Sequence, residues 1–187
     1  VEKYGSVVVI NIVIAVFLYN RCMKKELTVE EKVTNIETLI HIRNVGVLLM
    51  GMSKALLDRA VSHDCSKLES PEVEIFTEFT PKLAGCTYGS DAYKGYLKNM
   101  GVALKHHYRE NRHHPEHFED GINCMTLIDL VEMLCDWKAA TLRHNDGCIH
   151  KSIDINTGRF GMGDQMKKIL QNTAELLFED NLEKQRE

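Results

Sequence analysis

In "AVSHDCSKLES" a histidine and an aspartate, His63 and Asp64, close an apolar run, and Lys67 follows one helical turn later. Neutral imidazole and carboxylate are good ligands for Mn, Fe, Co, Ni or Zn. A carboxylate can also bridge two ions, which imidazole does not ordinarily do, and a lysine beside it would balance charge or hold a phosphate. Another histidine, His41, lies 22 residues earlier. On one continuous helix the two histidines would stand roughly 33 Å apart. Gly46 and Gly51 fall between them, and a reversal at Gly51 would make a helical hairpin whose open end brings His41 and His63 together.

Such a site needs a further carboxylate. "LIDLVEMLCDWKAATLRHN" offers Asp129, Glu132 and Asp136 at i, i+3 and i+7, on one helical stripe that continues to Arg143. Ile128, Met133 and Cys135 extend the apolar coverage around much of that helix, leaving the acidic stripe narrow, as in a cavity lining; the plain alternative is a solvated face. Five of the nine histidines fall between His106 and His117. His106 with His113, or His107 with His114, are seven apart and share a face if helix persists; His114 with His117 is an alternative pair. Past Asp136, the residues Arg143, His144, Lys151, Ser152, Asn156 and Arg159 supply donors suited to phosphate oxygens. Glycines 147, 158, 161 and 163 would let that segment close over a ligand.

The order His41, then His63-Asp64-x-x-Lys67, then Asp136 resembles the H…HD…D signature of the HD-domain superfamily of metal-dependent phosphohydrolases. More narrowly, "NRHHPEHF", "LVEMLCDWKAA" and "INTGRF" are similar to an uncharacterised bacterial and phage family that carries a domain of unknown function, from about Thr28 to Ala174. The broad resemblance implies an all-α bundle with a central site that hydrolyses phosphate esters. It implies His41, His63, Asp64 and Asp136 as ligands of one ion, with His107 and His114 as candidates for a second, and His106, His113 and His117 behind them. Lys67 and Arg143 would stabilise phosphoryl charge, and Glu116 or a pocket histidine would protonate the leaving group.

These residues must be positioned by helices. Three prolines and long 3.6-period stretches predict a mostly helical chain. Thr28 with Glu31 forms a capping-box pattern that starts a helix. Further helices are expected at about 52–63, 71–79, 90–111, 125–144 and 165–177, with a broken helix or turn at Pro115. "NDGCIHKSIDINTGRFGMGD" reads as a polar, Gly-rich loop before the last helix, with a short strand pair as an option. The expected division is an apolar extension over 1–22, an HD-like helical domain over 23–178 and a charged tail over 179–187. "VVVINIVIAVFLY" (Val7–Tyr19) is thirteen residues long, short of the roughly 20 needed for a bilayer span. Met23 followed by "KKELTVEEK" reads like an ordinary protein start, so residues 1–22 are expected to lie outside the catalytic domain.

Composition limits the function classes. A formal charge of −4 argues against a basic nucleic-acid-binding face. Six scattered cysteines without a C-x-x-C pair point to free thiols and a cytoplasmic setting, the alternative being a membrane tether through residues 7–19. The expectation is therefore a phosphohydrolase with one or two divalent transition metals, acting on a small phosphorylated molecule, by analogy a nucleotide, with homo-oligomerisation open. Two alternatives remain. HD-fold di-iron oxygenases use four His and two Asp, and a non-catalytic ligand-binding module would use the histidines as a polar core.

Overall fold

The computed structural model describes residues 27–86, 90–143 and 147–179. They form seven α-helices and no strand: α1 (Val29–Ser62), α2 (Glu72–Ala84), α3 (Asp91–Asn99), α4 (Gly101–Glu110), α5 (Leu127–Thr141), α6 (Ile149–Phe160) and α7 (Asp164–Ala174). Three short 3-10 turns, Cys65–Leu68, Pro115–His117 and Gly121–Cys124, connect them, and a π turn, Glu175–Glu179, follows α7. The all-helical expectation holds. The chain divides into two compact units between Ala55 and Leu56. The division expected at residue 22 and Val7–Tyr19 lie outside the described residues, as do residues 180–187. No described helix is long and apolar enough to cross a membrane.

The first unit contains most of α1. Its start is the predicted capping box: the Thr28 N–H donates to Glu31 Oε2 (2.8 Å) and the Glu31 N–H donates to Thr28 Oγ1 (3.2 Å). The helix then runs unbroken through Gly46 and Gly51, so the reversal at Gly51 that would have returned the chain toward His41 is not made. A glycine inside a helix costs only about 1 kcal/mol relative to alanine, and the apolar residues on both sides keep the helical pattern going. His41 is exposed on this helix.

In the second unit, the core joins α5, α6 and α7 through Leu130, Met133, Leu134, Ile149, Ile153, Met162, Leu170 and Ala174. α4 packs against α2 and α3, with Met100 and Ala103 buried. The expected helix over 90–111 is broken at Met100, which caps α4. The largest correction falls on the polar stretch after α5. It is neither loop nor strand pair but α6, because Ile149, Ile153 and Asn156 recur at helical spacing and are buried. Gly161 ends it in the left-handed region at φ 63°, and the Met162 N–H donates to the Thr157 carbonyl (3.0 Å). Leu134 is fully enclosed by this core. Leu134→Ala is expected to lower unfolding stability by about 2–5 kcal/mol, read as a shifted denaturant midpoint with an unchanged slope.

Candidate metal centre

The end of α1 aims His63 inward, and the next residue turns the chain. Asp64 has φ 57° and is the one described non-glycine residue with positive φ. Asp tolerates this left-handed conformation better than most residues, and it sets Asp64 at the start of the 3-10 turn that carries Lys67. α4 contributes His107. The segment after it, broken by Pro115 as the sequence suggested, contributes His113 and His114. α5 brings Asp136, with Glu132 one turn earlier.

These side chains converge. Asp64 Oδ1 lies 3.3 Å from His107 Nε2 and 3.5 Å from His113 Nε2, and His107 Nε2 lies 2.9 Å from His114 Nε2. Asp64 Oδ2 faces His63 Nε2 at 3.5 Å and Lys67 Nζ at 2.5 Å. Asp136 Oδ1 lies 3.7 Å from His63 Nε2. Two ligand groups result. Asp64, His107, His113 and His114 form one, and His63, His113 and Asp136 the other, each with its ligand atoms within 4.8 Å of one another.

Two carboxylates behind the cluster fix the ring orientations. Glu72, fully buried, accepts from His107 Nδ1 (2.8 Å) and His106 Nδ1 (2.7 Å). Glu132 accepts from His63 Nδ1 (3.0 Å) and from Arg59 Nη1 (3.1 Å). An ionised carboxylate only accepts, so the bonded Nδ1 of His107 and of His63 carries a proton; neutral His107 then presents its Nε2 lone pair toward Asp64, and His63 Nε2 can do so once its second proton is lost to a bound cation. The third acid of the stripe, Asp129, is structural. Its carboxylate caps α5 through the Thr126 N–H (2.9 Å) and takes Arg59 (2.8 Å) and Arg112 (3.1 Å). The three acids of α5 thus do three different things.

The fit to a cation shows in atoms left without partners. Asp64 Oδ1 and both ring nitrogens of His113 are buried and make no hydrogen bond. His113 Nδ1 is 3.2 Å from Glu132 Oε1, yet off the line a hydrogen bond needs. A buried carboxylate oxygen facing unpaired imidazole nitrogens is costly unless something positive sits between them. Imidazole nitrogen with carboxylate oxygen suits Mn, Fe, Co, Ni or Zn.

Electrostatics set the protonation states. Asp64 and Asp136 stay below the ordinary carboxylate range; burial opposes this, but Lys67 outweighs it at Asp64 and His63 at Asp136. At Glu132, too, burial is outweighed, by His113 and His63, and its pKa falls to about 2. Asp136, then Glu132, raise His63 to about 10. Burial, then His113 and His107, push His114 down from 6.5 to about 3. Between those last two values the unfolded chain takes up a proton at this residue that the folded chain refuses, so stability falls as pH drops through the window. His63 works in the opposite sense: its stabilisation is complete below its ordinary 6.5 and is lost as pH rises toward about 10. Thermal melts of metal-free protein are expected to show the acid-side loss, and His114→Asn is expected to flatten that slope.

Of the residues singled out from sequence, His63, Asp64, Asp136, His107, His113 and His114 come together. His113, ranked behind His107 and His114, belongs to both groups and is 1% exposed. His106 is engaged by Glu72, and His117 Nδ1 donates to the Tyr108 carbonyl (3.1 Å). Neither is in a ligand group, nor is His41. Glu116 is paired with Arg159 (2.6 Å). Arg143 is exposed beyond α5, and His144 lies outside the described residues. Glu72 gave no signal in the sequence, where it reads as an ordinary first-turn acid of α2.

A cavity of about 750 Å³ opens beside the cluster, from His114 and Asp136 to Lys151, Ser152, Asn156 and Arg159 on α6. Trp137 and Phe160 line it with ring planes 5° from parallel and centroids 6.4 Å apart. Gly147, also in its wall, meets the Thr141 backbone so closely that a Cβ there would collide with it.

The fold and the site therefore define an all-helical protein with a buried histidine–aspartate cluster able to hold a metal ion. The chain belongs to a family of unknown function, DUF5662, whose model matches residues 30–180. No curated protein and no solved structure matches the chain, and membership in the HD-domain superfamily has no support from these comparisons.

Proposed function

We propose that this chain is a metal-dependent phosphohydrolase acting on a small phosphate ester, with nucleotides as the substrate class. One observation carries the reading: the two oxygens of Asp64 face two different sets of ligand atoms, Oδ1 toward His107 and His113 and Oδ2 toward His63. In this reading Asp64, His107, His113 and His114 hold one ion, and His63 with Asp136 serves a second beside it. A divalent metal held there would supply Lewis acidity, activating a water and polarising a phosphoryl oxygen. Lys67, held against Asp64, takes up charge on the non-bridging oxygens. The cavity receives the rest of the substrate, with Trp137 and Phe160 offering flat apolar faces and Ser152, Asn156 and Lys151 offering polar contacts. The order of His63, Asp64 and Asp136, which resembles that of HD-domain phosphohydrolases, supports the reaction class by analogy. His41 and Glu116 have no part in it.

The test is phosphate release from nucleoside mono-, di- and triphosphates with Mn, Co, Ni, Zn or Fe added to metal-free protein. Release that requires metal and stops with chelator is expected; no release from any of them with any metal overturns the proposal. A second reading has its own observation, since four histidines and two aspartates meet here, the ligand count of the di-iron oxygenases. Iron-dependent colour and oxygen uptake without phosphate release would select it. A chain whose melting temperature responds to none of these metals is a ligand-binding module instead.

A further inference from the structure

Asn156 stands where the inner face of α6 calls for an apolar residue. Ile149, Ile153 and Asn156 are the buried residues of that helix, and Asn156 is 5% exposed. Burying an amide is costly unless its polar ends are bonded. Nδ2 donates to the Ser152 carbonyl one turn earlier (3.0 Å), which settles which end of the amide is the nitrogen. Oδ1 accepts from no described group, yet protein does not enclose it, so it opens on the cavity that Asn156 lines.

Ser152, Asn156 and Phe160 recur every fourth residue on one face of α6, and all three line that cavity. Trp137 of α5 lies parallel to Phe160 with 6.4 Å between centroids. A third ring slotted between them would need about 7 Å, two contacts of about 3.5 Å each. The two rings therefore form one flat wall, and a ligand ring lies against it rather than within it. Arg159 covers Phe160 at 4.7 Å, which leaves Trp137 as the larger platform. His114 and Asp136 of the metal centre line the same cavity, so one molecule can reach both the metal centre and the wall. A flat apolar wall beside a lone acceptor suits a flat ring with a hydrogen-bond donor on its edge; a puckered sugar, polar on all sides, would need more partners than this.

Resting on the phosphohydrolase reading above, we infer that Asn156 selects the substrate's ring: a nucleobase that bears an exocyclic amino group donates it to Asn156 Oδ1 while lying on Trp137. A base with a carbonyl oxygen in place of that amino group sets acceptor against acceptor and leaves Oδ1 stranded.

Trp137 is the only tryptophan of the chain, so its fluorescence reports a ring laid upon it. The metal-free full chain is expected to show saturable quenching by adenosine, cytidine or both. Purine riboside, which is adenosine without its amino group, is expected to bind about tenfold more weakly than adenosine, and uridine likewise than cytidine. Asn156→Leu is expected to erase these differences while quenching remains, which a purely structural role for Asn156 would not produce. Should that variant fail to fold, the ligand comparison on the unsubstituted chain still decides. Adenosine and cytidine that bind no better than their amino-free counterparts overturn the role of Asn156. No quenching by any nucleoside at millimolar concentration overturns the inference, as does ribose 5-phosphate binding as tightly as adenosine 5'-phosphate, since a sugar hydroxyl would then be the donor. Nucleosides carry no phosphate and need no metal to bind, so this result and phosphate release can fail separately.

Discussion

Asp64→Asn is expected to abolish the proposed metal-dependent turnover while leaving the fold in place. Asparagine keeps the shape and the tolerance for φ 57° that alanine lacks, so this is the variant that isolates charge. It takes away the carboxylate whose two oxygens separate the two ligand groups and whose Oδ1 is buried without a hydrogen bond. Activity is expected to fall by about 10²–10³-fold or more, the scale on which one preorganised electrostatic partner registers. The metal-free variant is expected to melt slightly lower than its parent at neutral pH, because the pairing with Lys67 that holds the Asp64 carboxyl below its ordinary range is lost. The gain in melting temperature on adding metal is expected to shrink or vanish. Full activity in Asp64→Asn would remove the basis of the proposed site.

Glu72→Gln is expected to lower metal affinity by about 10–100-fold although Glu72 touches no metal. Its carboxylate accepts from His106 and His107 at once. A glutamine has one oxygen to accept with and an amide that can only donate, so one histidine must rotate or change tautomer. If His107 changes, its Nε2 acquires the proton and no longer presents a lone pair to the cluster. Glu72→Ala goes further, stranding two ring donors at a cost of about 1–3 kcal/mol for each that stays buried. Titration calorimetry with Mn or Zn reads the first effect and a thermal melt reads the second. Unchanged affinity in both Glu72→Gln and Glu72→Ala would mean that His107 is not a ligand.

The hardest features to see from sequence were those that depend on partners distant in the chain. Asp129, Glu132 and Asp136 form one regular stripe, and nothing in their spacing tells a cap from an orienting acid or a ligand. The difference arises because Arg59 and Arg112 reach Asp129, His63 reaches Glu132, and Asp136 is left facing the cluster. The polar stretch after α5 read as loop because charged and glycine residues dominate it. The three buried positions of α6 matter only once α5 and α7 are there to bury them. Seven-residue spacing pairs His106 with His113 and His107 with His114 on equal terms and presumes a continuous helix, whereas the chain leaves helix at Asn111.

By itself the sequence determined the helical class, the start of α1 at its capping box, the break at Pro115 and the chemistry of the cluster, because capping, proline geometry and ligand type are local properties. Only the tertiary structure decided which histidines meet Asp64, that Glu72 and Glu132 set their tautomers, and that α1 passes Gly51 without turning. Those outcomes depend on which helix packs against which, and packing is a sum over contacts between residues up to 73 positions apart, which no window of sequence contains.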